Sequence, residues 1–289
     1  MCELLALSSR LPTSVTSSLA AFSQHRTSAD GWGVAFHAGN DARLYKEPEL
    51  AADSVWLDFI QHRHLTASLI VAHIRHATRG GRSLANTQPF SRELGGRIHV
   101  FAHNGRLDTI DADHAGEWSR YNPVGETDSE VAFCILLERI SPLWSGGIPS
   151  LQARTTVFTN FAAELRALGP ANILYADGDA LFVHAHRRMQ ANGDIAPPGL
   201  WRLERHCVRD PDVAPPGGAT PDLCRQDVVL FASVPLTNER WVPLAEGEVC
   251  AVRDGRLLRT TASPLAHRAI KVPAGAEASF TPDWTAPVV

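Results

Sequence analysis

The sequence lacks the features of several large protein classes. It contains no uncharged apolar stretch of roughly 18 residues, so a membrane-spanning helix is not expected. The first residues, Met1-Cys2-Glu3-Leu4, carry neither the basic residues nor the long apolar core of a signal peptide. We therefore expect the mature chain to begin close to the start of the gene product. Neither a GxGxxG motif nor a P-loop is present, so nucleotide binding has no support.

Cysteine is scarce and odd in number. The chain has 5 cysteines and no C-x-x-C pair, the cysteines being Cys2, Cys134, Cys207, Cys224 and Cys250. A disulfide framework or a thiolate zinc site is therefore not expected. A reducing cytoplasm is the natural compartment for such a chain.

An excess of positive charge is also missing. The formal net charge is -4, whereas a nucleic-acid-binding protein usually carries a basic excess or a basic stripe. The short pair Arg187-Arg188 is predicted to be solvated surface. Histidine pairs such as His184 and His186 lack an accompanying cluster of acidic residues or cysteines, so no metal site is expected.

The remaining composition is that of a globular protein. The chain has 289 residues, of which 44% are hydrophobic, enough for one large domain or two small ones. Strands are predicted at Cys2–Ser8, Trp32–His37, Ser68–Arg75, Arg97–His103, Asn172–Tyr175, Leu181–His186, Val228–Val234 and Val249–Val252. Helices are predicted at Thr13–Phe22, Ala51–Ile60 and Leu151–Leu168. Together these elements favour an α+β layered fold.

Three further local patterns add detail. Asn104-Gly105 follows a predicted strand and is typical of a turn. Thr127, with Glu130 three residues later, predicts a capping box at the start of a helix, which places Asp128 in the first turn. Residues 196–221 are rich in proline and glycine and are expected to be irregular, and a C-terminal extension is expected from about residue 264.

Position 2 is the first candidate for chemistry. Removal of Met1 would make Cys2 the N-terminal residue, with its own α-amine within reach of its sulfur. That amine titrates near pH ~7.7–8.0, so it can serve as a general base at neutral pH. The alternative is that Cys2 is a small core residue at the end of a strand.

Several segments after Cys2 occur in an order that resembles the class II glutamine amidotransferase domain, the N-terminal-nucleophile (Ntn) type. They are Asp30-Gly31-Trp32-Gly33, His73-Ile74-Arg75-His76-Ala77-Thr78-Arg79-Gly80, Asn86-Thr87-Gln88-Pro89-Phe90, His103-Asn104-Gly105 and Gly125-Glu126-Thr127-Asp128-Ser129-Glu130. The resemblance implies the αββα Ntn-hydrolase fold, two antiparallel sheets between helices. It also implies that residues 1–289 form a single such domain after Met1 is removed.

The resemblance further implies a set of residues that bind the amino-acid head group. Arg75 falls on the family's arginine that binds the α-carboxylate, and an arginine fork suits a carboxylate. Thr78 falls on a second carboxylate contact, and Asp128 on the residue that pairs with the α-ammonium. The alternatives are an ordinary ion-pair arginine and an aspartate that only favours its helix N-terminus.

The reacting centre is implied in the same way. Cys2 falls on the family's nucleophile, and Asn104 and Gly105 fall on the oxyanion hole. A side-chain amide and a backbone N–H would there donate to the oxygen that becomes negative in the tetrahedral intermediate. The alternative for Asn104-Gly105 is a simple hairpin turn.

Some positions depart from the family pattern. Gln88 and Arg79 stand where relatives carry histidine, and His76 stands where some carry tryptophan. Arg26 is only a loose counterpart of a family arginine and receives no role. Trp32 is expected to line the active-site region.

The activity implied is hydrolysis of glutamine to glutamate and ammonia, without a cofactor. Ammonia would be released or delivered to a separate ammonia-accepting protein. Two alternatives stay open. The chain could hydrolyse a γ-glutamyl peptide or another γ-glutamyl metabolite, or it could be a non-catalytic glutamine-binding sensor or scaffold.

Overall fold

A computed structural model describes residues 2–14, 19, 22, 30–63, 65–208 and 225–262. Its strands are β1 (Glu3–Ser14), β2 (Gly31–Ala38), β3 (Asp41–Glu47), β4 (Thr66–Arg75), β5 (Phe90–Leu94), β6 (Arg97–Gly105), β7 (Ala171–Ala176), β8 (Leu181–His184), β9 (Arg188–Met189), β10 (Ile195–Ala196), β11 (Trp201–Val208), β12 (Arg225–Ala232), β13 (Val242–Pro243), β14 (Glu248–Arg253) and β15 (Arg256–Ala262). Its α-helices are α1 (Val55–His62), α2 (Ile110–Asp113), α3 (Asp128–Ile140) and α4 (Leu151–Leu165), and short 3-10 helices lie at Ala51–Asp53 and Ser141–Gly146.

The strands form two large antiparallel sheets. The first has 7 strands in the order β13-β11-β12-β1-β4-β2-β3, and the second has 6 in the order β15-β14-β8-β7-β6-β5. Strands β9 and β10 form a small separate hairpin. β1 and β4 lie at the centre of the first sheet, and β6 and β7 lie side by side in the second.

Side chains along the central strands alternate between the two faces of each sheet, and this alternation explains the layers of the fold. In β1, Leu4 lies in the apolar core between the two sheets, whereas Leu5 lies in the core on the outer face of the first sheet, which also holds residues of α1. In β6, Val100 lies between the sheets and Phe101 packs in the core shared with α3 and α4. Successive side chains of a strand point to opposite faces, so each sheet buries both of its faces. The result is a helix–sheet–sheet–helix sandwich, which confirms the predicted αββα fold.

At α3 the predicted helix start is confirmed, but only half of the predicted capping box is formed. Thr127 is the N-cap, and its hydroxyl oxygen accepts from the backbone N–H of Glu130 at 3.2 Å. Asp128 is the first residue of the helix, as expected. The Glu130 carboxylate does not close the reciprocal half of a capping box, because it accepts from the backbone N–H of Gly125 and from Arg92 instead.

Two helix predictions need correction. Thr13 and Ser14 end β1, paired with Ala67 and Thr66, so the helix predicted over 13–22 does not include them. Leu19 and Phe22 are helical, as predicted, and residues 15–18, 20 and 21 lie outside the described residues. The helix expected over 51–60 is divided at Ser54, which is extended and whose hydroxyl accepts from the Leu57 N–H, so that α1 begins at Val55.

Two predicted irregular segments are strands instead. Asn104-Gly105 does not form a turn, because both residues end β6 and pair with Asn172 and Ala171 of β7. Within the segment 196–221, residues Trp201–Val208 form β11, which pairs with β12 from Trp201 to Val208. Proline and glycine on both sides obscured that strand, and residues 209–221 lie outside the described residues.

Over the part of the chain that the structure describes, no helix is long and apolar enough to cross a membrane.

Candidate active site

One pocket lies where the ends of several strands meet. Cys2 directly precedes β1, and Glu3 pairs with Ile74 near the end of β4, so the starts and ends of these strands share one edge of the sandwich. The cavity has a volume of about 270 Å³. Its lining residues are Cys2, His76, Thr78, Asn104, Gly105, Arg106, Pro170, Arg187, Arg188, Met189 and Ile195.

The Cys2 thiol is held by the backbone of the residue that follows β4. Its sulfur accepts from the His76 N–H at 3.2 Å and lies 3.3 Å from the His76 carbonyl oxygen. Burial raises the pKa of Cys2, and the His76 N–H and the nearby Arg75 guanidinium only partly oppose that rise. The group is therefore a thiol at neutral pH and needs a base to react.

Asn104 lies beside the nucleophile candidate. Its side-chain amide donates to the backbone carbonyl oxygen of Cys2 at 2.6 Å and lies 3.5 Å from the Ser233 hydroxyl. The pairing of β6 with β7 and the contact across to β1 bring together two residues that are 102 positions apart. An amide donor and a thiol thus face the same pocket.

Gly105 is packed too tightly for any side chain. A Cβ atom there would lie 1.7 Å from the Pro170 carbonyl oxygen and 2.6 Å from the His103 ring. The adjacent Arg106 N–H donates to the same Pro170 oxygen at 3.1 Å. The chain therefore needs glycine at this strand end for packing.

Arg75 is buried at the end of β4, and its two terminal nitrogens have different surroundings. One terminal nitrogen, Nη2, donates to the carbonyl oxygens of Arg79 and Gly80 at 3.0 and 2.9 Å, which fixes the loop after β4. The other, Nη1, is buried and has no hydrogen-bond partner among the residues that the structure describes. A buried guanidinium N–H without a partner is costly, so it marks a place where an acceptor would be stabilised.

Asp30 supports the same loop. Its carboxylate accepts from the Ala77 N–H at 2.8 Å and pairs with Arg82, while its own N–H donates to the Arg75 carbonyl oxygen at 2.7 Å. The loop that carries Thr78 into the pocket is thus tied to β2 and β4 on both sides.

Asp128 is near the pocket but is not one of its lining residues. Its side chain is 5% exposed, and one carboxylate oxygen accepts from the Leu107 N–H at 2.7 Å. Of the six residues expected at the site, Cys2, Thr78, Asn104 and Gly105 share the pocket wall. Arg75 lies behind the loop of Thr78, and Asp128 lies behind the segment that follows Gly105.

The positions that depart from the family pattern make defined contacts in the structure. Gln88 makes two bonds with the backbone of His103, at 2.6 and 3.2 Å, and so holds the end of β6. Arg79 pairs with Asp111 at the surface. Arg26 lies outside the described residues.

The prediction that Trp32 lines the active-site region is wrong. Trp32, Val34 and Phe36 are at alternate positions of β2, so their side chains point to the same side, and all three pack on the outer face of the first sheet. Its indole N–H donates to Glu47 at 3.1 Å. Gly33, at the position between Trp32 and Val34, is the residue that faces inward from this segment, and a Cβ there would lie 2.4 Å from the Gln88 carbonyl oxygen.

Sequence reasoning missed the hairpin of β9 and β10. Arg188 is buried rather than solvated: it donates to the Glu3 carboxylate at 2.9 Å and to the Ser233 carbonyl oxygen at 3.0 Å. Arg187 is half-exposed, in keeping with the expectation. The usable signal was Glu3, a carboxylate within a buried strand, which calls for a cation nearby.

The histidines of β8 and its end are buried among backbone partners. His184 lies within 2.7 Å of the Ala171 carbonyl oxygen, and the His186 ring is near Glu246. Among the described residues no group of three or more histidines, cysteines or acidic residues is arranged to hold a metal ion.

Comparison with known proteins relates this geometry to a family. The sequence profile described as "Glutamine amidotransferases class-II" matches residues 1–275. YafJ of Escherichia coli K12, named as a candidate glutamine amidotransferase, is 34% identical over 254 residues, which cover 86% of this chain and 96% of YafJ. The uncharacterized protein MJ1515 of Methanocaldococcus jannaschii is 31% identical over 267 residues, covering 89% of this chain and 71% of its own.

Solved structures show the same architecture. The 2.0 Å crystal structure of a predicted glutamine amidotransferase from Pseudomonas aeruginosa PA01 is similar with a TM-score of 0.64 and 28% identity, covering 89% of this chain and all of that one. Glutamine phosphoribosylpyrophosphate amidotransferase from B. subtilis has a TM-score of 0.57 at 15% identity, covering 91% of this chain and 50% of its own, and this likeness concerns the fold alone.

Proposed function

The chain belongs to the class II glutamine amidotransferase family, and from that premise we propose that it hydrolyses γ-glutamyl amides with Cys2 as its nucleophile. Glutamine is the simplest such substrate. We further propose that residues 1–289 act as one amidotransferase domain once Met1 is removed, since the family match extends from residue 1 to residue 275.

The contact between Asn104 and Cys2 carries this proposal. A donor amide 2.6 Å from the nucleophile's own backbone carbonyl is close enough to serve an oxygen that forms next to the sulfur. In the proposed cycle the substrate carbonyl oxygen takes the Asn104 amide and the Gly105 N–H as its two donors. The Asn104 amide beside the sulfur would stabilise negative charge that develops during the reaction, which favours an enzyme over a glutamine-binding sensor or scaffold; Gly105 is required by packing in either case.

The head group of the substrate would be bound from the β4 side. The unused Nη1 of Arg75 offers a buried donor for an α-carboxylate, with Thr78 as a second contact. The Asp128 carboxylate, which gives one oxygen to Leu107, would use its other oxygen for the α-ammonium.

The proposed chemistry needs no cofactor. After Met1 is removed, the α-amine of Cys2 takes the thiol proton and the sulfur attacks the γ-carbonyl carbon. The C–N bond breaks and the amine passes that proton to the departing ammonia. Water then hydrolyses the γ-glutamyl thioester to glutamate and the free thiol. The raised pKa of Cys2 fits this need for a base.

We place the reaction in a reducing cytoplasm, where Cys2, Cys134 and Cys250 stay free thiols, as they are here. The ammonia would be released or passed to a separate ammonia-using protein. No step of the proposed cycle involves a nucleic acid or a membrane.

Intact-mass analysis after incubation with 6-diazo-5-oxo-L-norleucine, a glutamine analogue that traps thiol nucleophiles, tests the proposal. We expect a chain without Met1 that carries one adduct, and no adduct in Cys2→Ala. Cys250→Ala, which removes a fully buried thiol, is the matched control and should label like the wild type. Retention of full glutamine hydrolysis by Cys2→Ala would exclude the mechanism. A chain that keeps Met1 and stays unlabelled would favour the sensor function.

A further inference from the structure

One wall of the Cys2 pocket is apolar and comes from the hairpin of β9 and β10. Met189 and Ile195 are directly opposite each other in this hairpin, and both line the pocket. Cross-strand partners project to the same face, so the two side chains form one patch. They are 49% and 55% exposed, so together they offer an accessible apolar surface on the wall of the pocket that holds the Cys2 thiol.

Free glutamine gives this patch nothing to bind. In the proposed binding mode its charged head group lies at Arg75 and Asp128, and its γ-amide nitrogen leaves as ammonia. Only two methylene groups are apolar, and they lie between those ends. The apolar patch therefore fits a substituent on the amide nitrogen.

The position of the hairpin of β9 and β10 is consistent with a substituent on the amide nitrogen of the substrate. The head-group residues come from the end of β4 and from α3, whereas the hairpin is joined to the Cys2 strand through the buried pair of Arg188 with Glu3. A planar trans amide directs its nitrogen substituent away from the glutamyl chain. A substrate with its γ-carbon at Cys2 would thus extend its amine half toward a wall that the head group does not use.

Two arginines that line the same pocket indicate that the amine half of the substrate also carries a carboxylate. Arg106 and Arg187 line the pocket, each paired at the surface with a carboxylate, Asp108 and Glu246 respectively. Exposed ion pairs of this kind are weak, so each guanidinium, with its five N–H donors, can also donate to a further carboxylate. The C-terminal carboxylate of an amino acid would find such a partner here.

We propose that the physiological substrate is a γ-glutamyl dipeptide whose second residue has an apolar side chain and a free carboxylate; this inference rests on the proposed Cys2 chemistry. Cys2 attacks the γ-carbonyl carbon, the C–N bond to the second amino acid breaks, and the thiol proton leaves on its nitrogen. Water then cleaves the thioester, which gives glutamate and returns the thiol proton. Met189 and Ile195 determine specificity, and Arg187 binds the carboxylate.

Steady-state kinetics with matched substrates test the apolar wall. One buried aliphatic group is worth about 10–200-fold in discrimination. We therefore expect kcat/KM for γ-glutamyl-leucine to exceed that for γ-glutamyl-glycine and for glutamine by at least about 10-fold. In Met189→Ser/Ile195→Ser the leucine-to-glycine ratio should fall close to one. Ile148→Ser, an exposed apolar position outside the pocket lining, is the control and should keep the ratio.

A second pair of substrates tests the carboxylate. Arg187→Met should raise KM for γ-glutamyl-leucine but not for γ-glutamyl-leucinamide, which has no terminal charge. Equal turnover of the leucine and glycine compounds, or a preference that survives the double substitution, overturns the inference while labelling of Cys2 by the glutamine analogue still supports the hydrolase. Loss of labelling together with no cleavage of any γ-glutamyl compound overturns both.

Discussion

Replacing Arg188 with methionine tests how the first strand is held in place. Arg188 and Glu3 form a buried ion pair at 2.9 Å, with side chains 8% and 3% exposed. Breaking a buried pair by removing one partner typically costs about 3–5 kcal/mol, because a desolvated charge loses its counter-ion. We expect Arg188→Met to lower the free energy of unfolding by that amount. The midpoint of thermal unfolding should fall by on the order of 10 °C.

The neighbouring arginine provides the control. Arg187 is 50% exposed and pairs with Glu246 at the surface, so Arg187→Met should change stability by no more than about 1 kcal/mol. The double variant Glu3→Gln/Arg188→Met removes both charges and should recover much of the loss, since an uncharged replacement of a buried pair is often nearly neutral. Urea unfolding followed by circular dichroism measures the free energy of unfolding of the wild type and of each variant. Equal effects of Arg187→Met and Arg188→Met would refute the reasoning.

Three further predictions concern the site and the buried histidines. Asn104→Ala should lower kcat by about 10²–10³ and, through the lost bond to the Cys2 carbonyl oxygen, lower the free energy of unfolding by about 1–3 kcal/mol; an unchanged kcat would remove Asn104 from the oxyanion hole. Gly105→Ala should destabilise the chain because of its 1.7 Å approach to the Pro170 oxygen, whereas Gly146→Ala, with no atom within 4 Å of the added Cβ, should not; urea unfolding compares them. Burial lowers the pKa of four histidines below the unfolded value of about 6.5, to about 3 for His73 and His184 and about 4 for His37 and His99. Below about pH 6.5 the unfolded chain therefore binds more protons at these histidines than the folded chain does. Their contribution to the free energy of unfolding is complete above that pH, and the free energy of unfolding should fall by roughly 4–5 kcal/mol from pH 6 to pH 5. Equal midpoints of urea unfolding at the two pH values would contradict this prediction.

Sequence reasoning succeeded where the relevant signal is local. The apolar run of β4 and the cap at Thr127 predict their elements because strand burial and helix capping depend on residues a few positions apart. The order of the segments after Cys2 predicted the fold and the family. The pocket shared by Cys2, Thr78 and Asn104 follows from those elements, since each residue stands at or beside a strand end.

It failed where the outcome depends on distant contacts. Arg188 is buried beside two distant partners, Glu3, which is 185 positions away, and the Ser233 carbonyl, and no local pattern predicts either contact. Asn104-Gly105 favours a turn locally, yet pairing with β7 extends β6 through both residues. Trp32 shows a third limit: alternation divides a strand into two faces, but it does not say which face meets the helices and which meets the other sheet.

Gly105 illustrates why geometry is needed to separate packing from chemistry. Its contact with the Pro170 carbonyl excludes every side chain, so glycine would be required here even in a protein without catalysis. The Asn-Gly pair by itself therefore says little about an oxyanion hole. Asn104 is different, because its side-chain amide donates to the backbone carbonyl of Cys2 and so lies beside the proposed nucleophile. A buried amide is costly unless it is bonded. Asn104 therefore supports a catalytic function more strongly than Gly105 does.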